Sequence, residues 1–80
     1  MSYKSAFAKG DMVRIASLSD LEQFRNTWRF HHKLESEQLT YADLTAHVRD
    51  VGFYHGGDVL YWLEGIPGTW HECCLRPSDT

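Results

Sequence analysis

The sequence predicts a small, mostly β domain, a closed barrel of about five short strands with a helical insertion between the first and second strands. Apolar residues alternate with polar ones in two separate parts of the chain. This two-residue repeat is typical of a β-strand with one buried face. Glycine-rich turns at 55–58 and 65–68 divide the second part into strands. The 80 residues suffice for one domain only, so we expect a single domain over 1–80 with its ordered core at about 9–77.

The first strand and the insertion follow one another near the start. Val13 and Ile15 alternate with polar or flexible neighbours after a Gly10-Asp11 turn, which predicts a short strand. Ser19 and Glu22 have the spacing of a capping box, which predicts a helix start. An apolar stripe at helical spacing then follows, made of Leu21, Phe24 and Trp28. With a weaker helical stretch over 36–42, the insertion covers about 18–42.

The second part of the chain changes to a period of two at about Leu44. Ala46 and Val48 share one parity, whereas Val51 and Phe53 share the other. A β-bulge near residue 49 would place both pairs on one face, because one extra residue restores the alternation. We therefore predict a bulged second strand.

The third strand, 59–64, is apolar on both faces, so we expect it to be central and covered twice. A short strand over 69–71, one turn of tight helix over 72–75 and an edge pair at 76–77 complete the domain. Closing this set into a barrel would remove exposed strand edges.

Composition narrows the function classes. The formal net charge is −3, which does not favour nucleic acid or an anionic membrane as partner. No apolar run approaches the roughly 20 residues of a membrane span, and the first nine residues lack the apolar stretch of a signal peptide. The cysteines are adjacent, so no disulfide framework is expected and a reducing compartment, the cytoplasm, fits best.

Several short motifs, in this order, resemble a known family of SH3-like barrels. They are Gly10-Asp11-x-Val13-Arg14, a long excursion with His31-His32, Val48-Arg49-Asp50-Val51-Gly52, Tyr61 in a strand, and Gly68-x-x-His71-Glu72-x-x-Leu75. The layout is similar to that of the electron-transport accessory proteins, a group with the nitrile hydratase β subunit and the variable chain of ferredoxin–thioredoxin reductase. A small nitrogen-fixation accessory family has a similar layout.

The resemblance implies an SH3-like fold and a non-catalytic chain that packs on a metalloenzyme or redox protein. In those families the metal ligands lie on another chain. The resemblance therefore assigns no catalytic residue, metal or cofactor to this chain, and the expected partner is a protein.

Exposed aromatic and histidine side chains are the candidate partner-binding residues. Aromatics on adjacent strands of a small barrel can receive an extended peptide. The candidates are Tyr54, His55, Trp62, Trp70, His31 and His32. The core of a small domain is filled largely by aromatic side chains. We therefore expect at least one of Trp62 and Trp70 to lie mostly in the core.

The cluster of His71, Cys73 and Cys74 has the residue types of a zinc site, although adjacent cysteines are expected to direct their thiols apart. A nucleophilic cysteine beside His71 is a second possibility. Simple packing of one or both cysteines in the core is the third, because cysteine is among the most often buried residue types.

Three functional hypotheses stay open at this point. The first is a non-catalytic interaction or accessory module. The second is a small barrel that binds single-stranded nucleic acid by aromatic stacking. The third is a small enzyme or metal-binding protein that uses His71, Cys73 and nearby histidines.

Overall fold

A computed structural model of the chain describes residues 5–28, 34–54 and 58–78. Two 3₁₀ helices, η1 and η2, accompany the helix and the strands. The elements are β1 (Met12–Ile15), α1 (Leu18–Thr27), η1 (Ser36–Tyr41), β2 (Thr45–Phe53), β3 (Val59–Leu63), β4 (Ile66–His71), η2 (Glu72–Cys74) and β5 (Leu75–Pro77).

The five strands form an antiparallel sheet in the order β4-β3-β2-β1-β5. Val13 lies opposite Ala46 of β2 and Pro77 of β5, so the opening strand pairs with later strands as predicted. Tyr61 lies between Val51 and Trp70, which confirms that β3 is internal to the sheet.

The predicted closed barrel is not confirmed. Among the described residues, β4 and β5 are not paired with each other, and η2 connects them instead. The sheet is therefore open at this point. The three residues of η2 connect one edge strand to the other.

The core lies on one face of the sheet. It contains Val13, Ile15, Val48, Tyr61, Leu63 and Trp70, each at most 1% exposed. The register of β2 shifts between Val48 and Asp50, which confirms the bulge at Arg49. Beyond the bulge Val51 packs against the core, whereas Phe53, opposite Val59, remains 52% exposed at the end of the strand.

Helix α1 begins earlier than the capping-box pattern predicts. Its N-cap is Ser17, whose Oγ accepts a hydrogen bond from the Asp20 N–H at 3.3 Å, so the predicted cap at Ser19 is wrong. Strand β1 ends only two residues before this cap, and Ser17 is the first side chain able to satisfy a free helix N–H. The predicted stripe does point inward at Leu21, which is fully buried.

The described parts of the insertion, 18–28 and 34–42, fold against β4. The rings of Phe24 and Trp28 contact the buried ring of His71 at centroid distances of 5.0 and 4.8 Å. Gln38 of η1 is 4% exposed, and its Nε2 donates to the carbonyl oxygen of Thr69. Both parts of the insertion are therefore structural supports of the same edge strand.

Within 5–28, 34–54 and 58–78, no helix has the length and apolar character that crossing a bilayer requires.

Candidate functional site

Trp62 lies on the face of the sheet opposite the core and is held there from both sides. Its Nε1 donates a hydrogen bond to Thr69 Oγ1 at 3.1 Å. At the other end of the indole, Cζ3 and Cη2 lie 2.8 Å from the place where a Cβ on Gly52 would be. The ring therefore crosses β3 from β4 to β2, and it stays partly exposed to solvent.

Tyr54 follows β2 and, by the alternation of the strand, falls on the same side as Gly52. Its side chain is 39% exposed, and its backbone N–H donates to the Asp58 carbonyl across the hairpin at 2.9 Å. Asp50, opposite Trp62 in the ladder, adds an exposed carboxylate to this strand. Two of the predicted aromatic candidates thus lie on the outer face.

Trp70, in contrast, cannot belong to a binding face. It is 0% exposed in the core, and its indole N–H has no hydrogen-bond partner among the described residues. The expectation that one of the two tryptophans lies in the core is confirmed. The three histidine candidates, His31, His32 and His55, lie outside the described residues.

A shallow groove of about 180 Å³ lies between η1 and the first residues of β4. Its lining residues are Glu35, Glu37, Gln38, Tyr41, Pro67 and Gly68. The side chain of Gln38 forms the floor, because its Oε1 accepts from the Glu35 N–H and its Nε2 donates to β4. Gly68, with φ +98°, leaves only 2.8 Å between an added Cβ and that Nε2.

Thr69 connects the groove with the outer face. Its carbonyl oxygen accepts from Gln38 at 3.1 Å, and its hydroxyl accepts from Trp62 at 3.1 Å. We use the name Trp62 surface for the residues Tyr41, Pro67, Thr69 and Trp62. Among the described residues that line the groove, two are glutamates and none is a lysine or arginine.

A second concave feature, a cleft of about 230 Å³, lies beside η2. Its lining residues are Trp28, Asp58, Val59, His71, Glu72 and Cys73. Cys73 is exposed in this cleft and Cys74 is 1% exposed beneath it. One thiol therefore faces solvent and the other lies in the core, and the two influence each other's pKa.

The two thiols have opposite electrostatic environments. The neighbouring Cys74 thiol is the largest influence on the pKa of Cys73, and with the Arg76 guanidinium it lowers that pKa to about 7, against partial burial and Asp58. The pKa of Cys74 is raised, because its thiol engages the Cys73 sulfur and is buried. Cys73 is therefore the thiol that ionises.

Glu72 has a structural task at the base of the same cleft. Its Oε2 accepts from the Tyr61 hydroxyl at 2.6 Å and from the Ala6 N–H at 2.9 Å. Burial first, and then this hydrogen bond to Glu72, raises the pKa of Tyr61 to about 12. The pair ties the segment before β1 to the sheet.

The described part of the chain contains no group of three or more histidine, cysteine, aspartate or glutamate side chains placed to hold a metal ion. The ring of His71 packs against the rings of Phe24 and Trp28. The metal-binding hypothesis thus has no ligand set in this region.

Comparison with known proteins gives no match: no family model, no curated protein and no solved structure is significantly similar to this chain. The function must therefore be argued from the chain's own surface.

Proposed function

We propose that this chain is a non-catalytic protein-interaction module of the accessory-subunit kind, and that its partner binds the Trp62 surface. The observation that carries the proposal is the position of Trp62, whose indole is fixed on the outer face between Thr69 and Gly52 while part of it remains in solvent.

A fixed, partly exposed tryptophan favours binding for two reasons. Tryptophan and tyrosine are enriched among the residues that contribute most to interface energy. A side chain that is already held in one rotamer loses little conformational entropy when a partner covers it. Trp62 meets both conditions, since its Nε1 is engaged and its ring rests on a backbone without a side chain.

The groove indicates the chemistry of the partner. Tyr41 and Pro67 offer an apolar surface to a side chain, and Glu35 and Glu37 add negative charge at its border. The groove therefore suits an extended peptide segment that has an apolar residue next to a lysine or arginine. The apolar residue would contact Tyr41 and Pro67, and the basic residue would lie near the glutamates. Strand addition to β4 is a poorer alternative, because Gln38 already occupies the Thr69 carbonyl.

The resemblance described above would make the partner a metalloenzyme or a redox protein, and this is the partner class to test first. Two free thiols, Cys73 and Cys74, agree with a reducing compartment such as the cytoplasm.

Selection from a random peptide library displayed on phage tests the proposal without a known partner. We expect the folded chain to enrich peptides that combine basic and apolar residues. The Trp62→Ala variant should bind a selected peptide at least about tenfold more weakly. Glu37→Lys should weaken the same peptide, and added salt should weaken it further.

Leu18→Ala is the matched control, because Leu18 is 47% exposed on α1 and is not among the residues that line the groove. It should leave peptide affinity unchanged. If Trp62→Ala is poorly folded, the peptide affinities of Glu37→Lys and Glu35→Gln test the proposal instead. Both side chains are exposed, so these substitutions should leave the fold intact. Enrichment of acidic peptides, or equal binding by all variants, would contradict the proposal.

A further inference from the structure

We propose that the Trp62 surface selects a proline-rich segment in the polyproline II conformation, one of whose carbonyl groups accepts a hydrogen bond from the Thr69 hydroxyl. This inference rests on the proposed function and specifies the conformation of the partner. Two features carry it: the hydrogen bonds beneath the surface, which occupy acceptors and leave donors, and the planar apolar side chains around them.

The Thr69 hydroxyl is arranged to donate. Its oxygen already accepts the indole N–H of Trp62 at 3.1 Å. A threonine hydroxyl also has one hydrogen of its own. Within the described part of the chain this hydrogen is given to no acceptor, and the side chain is only partly buried. The hydrogen is therefore available to a carbonyl group of a bound segment.

Gln38 contributes a second donor. Its Nε2 has two hydrogens, and one of them is used at 3.1 Å for the Thr69 carbonyl. The side chain lines the groove, and the other hydrogen forms no hydrogen bond to a described residue.

The acceptors of the same groups are already occupied. The Thr69 carbonyl accepts from Gln38, and Gln38 Oε1 accepts from the Glu35 N–H at 2.8 Å. A partner strand would need acceptors for its own N–H groups, whereas a prolyl residue has no N–H. A polyproline II helix also has no internal hydrogen bonds, so its carbonyl groups are free to accept. A proline-rich segment therefore matches this set of donors better than an ordinary strand does.

The side chains around the groove suit prolyl rings. Tyr41 and Pro67 line it, and Trp62 lies beyond Thr69 on the outer face. Proline-rich segments bind grooves lined by aromatic side chains, because their helix exists before binding and little entropy is lost. The indole is likewise fixed before binding, so the ordering cost is low on both sides.

The test uses the full-length chain and a hexaproline peptide with a C-terminal lysine, blocked at both ends. Its matched control is the mirror-image peptide made from D-amino acids, which has the same composition and charge but forms a helix of the opposite hand. The L-peptide should shift the indole N–H resonance of Trp62 in a saturable manner. The mirror-image peptide should bind at least about tenfold more weakly, because its carbonyl and its rings cannot meet Thr69 and Trp62 together.

Thr69→Val tests the hydroxyl, because valine keeps the branched shape and removes the oxygen. The affinity for the L-peptide, measured from backbone amide shifts, should fall by about threefold to tenfold, as expected for one hydrogen bond. Thr69→Ser should keep most of the affinity. Thr45→Val is the control, since Thr45 is an exposed threonine of β2 opposite Arg14, and it should leave the affinity unchanged.

A second background separates binding from support of the indole. Trp62→Phe keeps an aromatic ring but has no N–H for Thr69 to accept. In this background Thr69→Val should still weaken the L-peptide by about threefold, because the hydroxyl donates to the peptide. A hydroxyl that only holds the indole would give no further loss.

Equal binding of the two mirror-image peptides would overturn the inference, and so would the absence of any effect of Thr69→Val in the Trp62→Phe background. Selected peptides that shift the Trp62 resonance while the L-peptide does not bind would also overturn it, but they would leave the proposed function standing. The proposed function itself fails when no selected peptide shifts that resonance.

Discussion

The indole ring of Trp62 lies directly over the backbone of Gly52, two strands away from the hydroxyl of Thr69 to which its Nε1 is bonded. Glycine inside a strand usually weakens it, because it has no side chain to pack and more backbone entropy to lose. Here the missing side chain provides the space in which the ring lies. The exposed aromatic on the outer face thus depends on a glycine on the neighbouring strand.

Gly52→Ala should displace the Trp62 ring. The new methyl would lie 2.8 Å from two ring carbons, and overpacking of this kind costs about 1–3 kcal/mol of unfolding free energy. Urea denaturation measures the cost. In a Trp62→Leu background the same change should cost little or stabilise slightly, because alanine restricts the unfolded chain. An equal cost in both backgrounds would show that the ring is not responsible.

The Tyr61–Glu72 pair should give the chain a distinct alkaline transition. The folded pKa of Tyr61, about 12, exceeds its ordinary value of 10.0, so its contribution to stability is present below pH 10 and is lost between pH 10 and 12. Ultraviolet difference titration should show one tyrosine that ionises late, and this tyrosine should be absent in Tyr61→Phe.

Glu72→Gln separates the two causes of that shift. Removing the carboxylate should lower the Tyr61 pKa but leave it above 10, because burial is the larger cause and remains. A Tyr61 pKa that does not change in Glu72→Gln would contradict the 2.6 Å hydrogen bond as a source of the shift.

Gln38→Glu should destabilise the fold in a pH-dependent manner. The substitution replaces the Nε2 that donates to the Thr69 carbonyl with an oxygen, and it places a carboxylate at a position that is 4% exposed. We expect a loss of about 2 kcal/mol or more at neutral pH. Below about pH 4 the carboxyl is protonated and can donate, so part of the loss should be recovered.

Gln23→Glu is the control for this change, since Gln23 is exposed on α1 and its substitution should alter stability by less than about 0.5 kcal/mol. Equal effects at positions 23 and 38 would show that Gln38 does not support β4.

Much of the fold could be predicted because periodicity is a local property. Alternation at Val13 and Ile15 and the change of parity at Arg49 correspond to β1 and to the bulge in β2. The start of β4 was missed, because Pro67 and Gly68 resemble only a turn; an edge strand tolerates both. Closure of the barrel would require pairing between β4 and β5, which are far apart in the sheet order. A local sequence pattern cannot predict such long-range pairing.

The candidate sites depended more on tertiary contacts. Parity places Trp62 opposite to Tyr61, yet both faces of β3 are apolar, so the sequence could not show which face is the core. The register with β4 decides this by placing Trp70 beside Tyr61. A glycine inside a strand, such as Gly52, can indicate that another group packs closely against the backbone at that position. The placement of Gln38 under Thr69 had no signal in the sequence.

An NMR titration of the chain with a peptide from the phage selection tests the central proposal most directly. The chain has three tryptophans, and each gives a separate indole N–H resonance. The account predicts that the Trp62 resonance shifts with peptide concentration and that the Trp70 resonance, from a ring with 0% exposure, does not. Saturable binding that leaves the Trp62 resonance unchanged would contradict it.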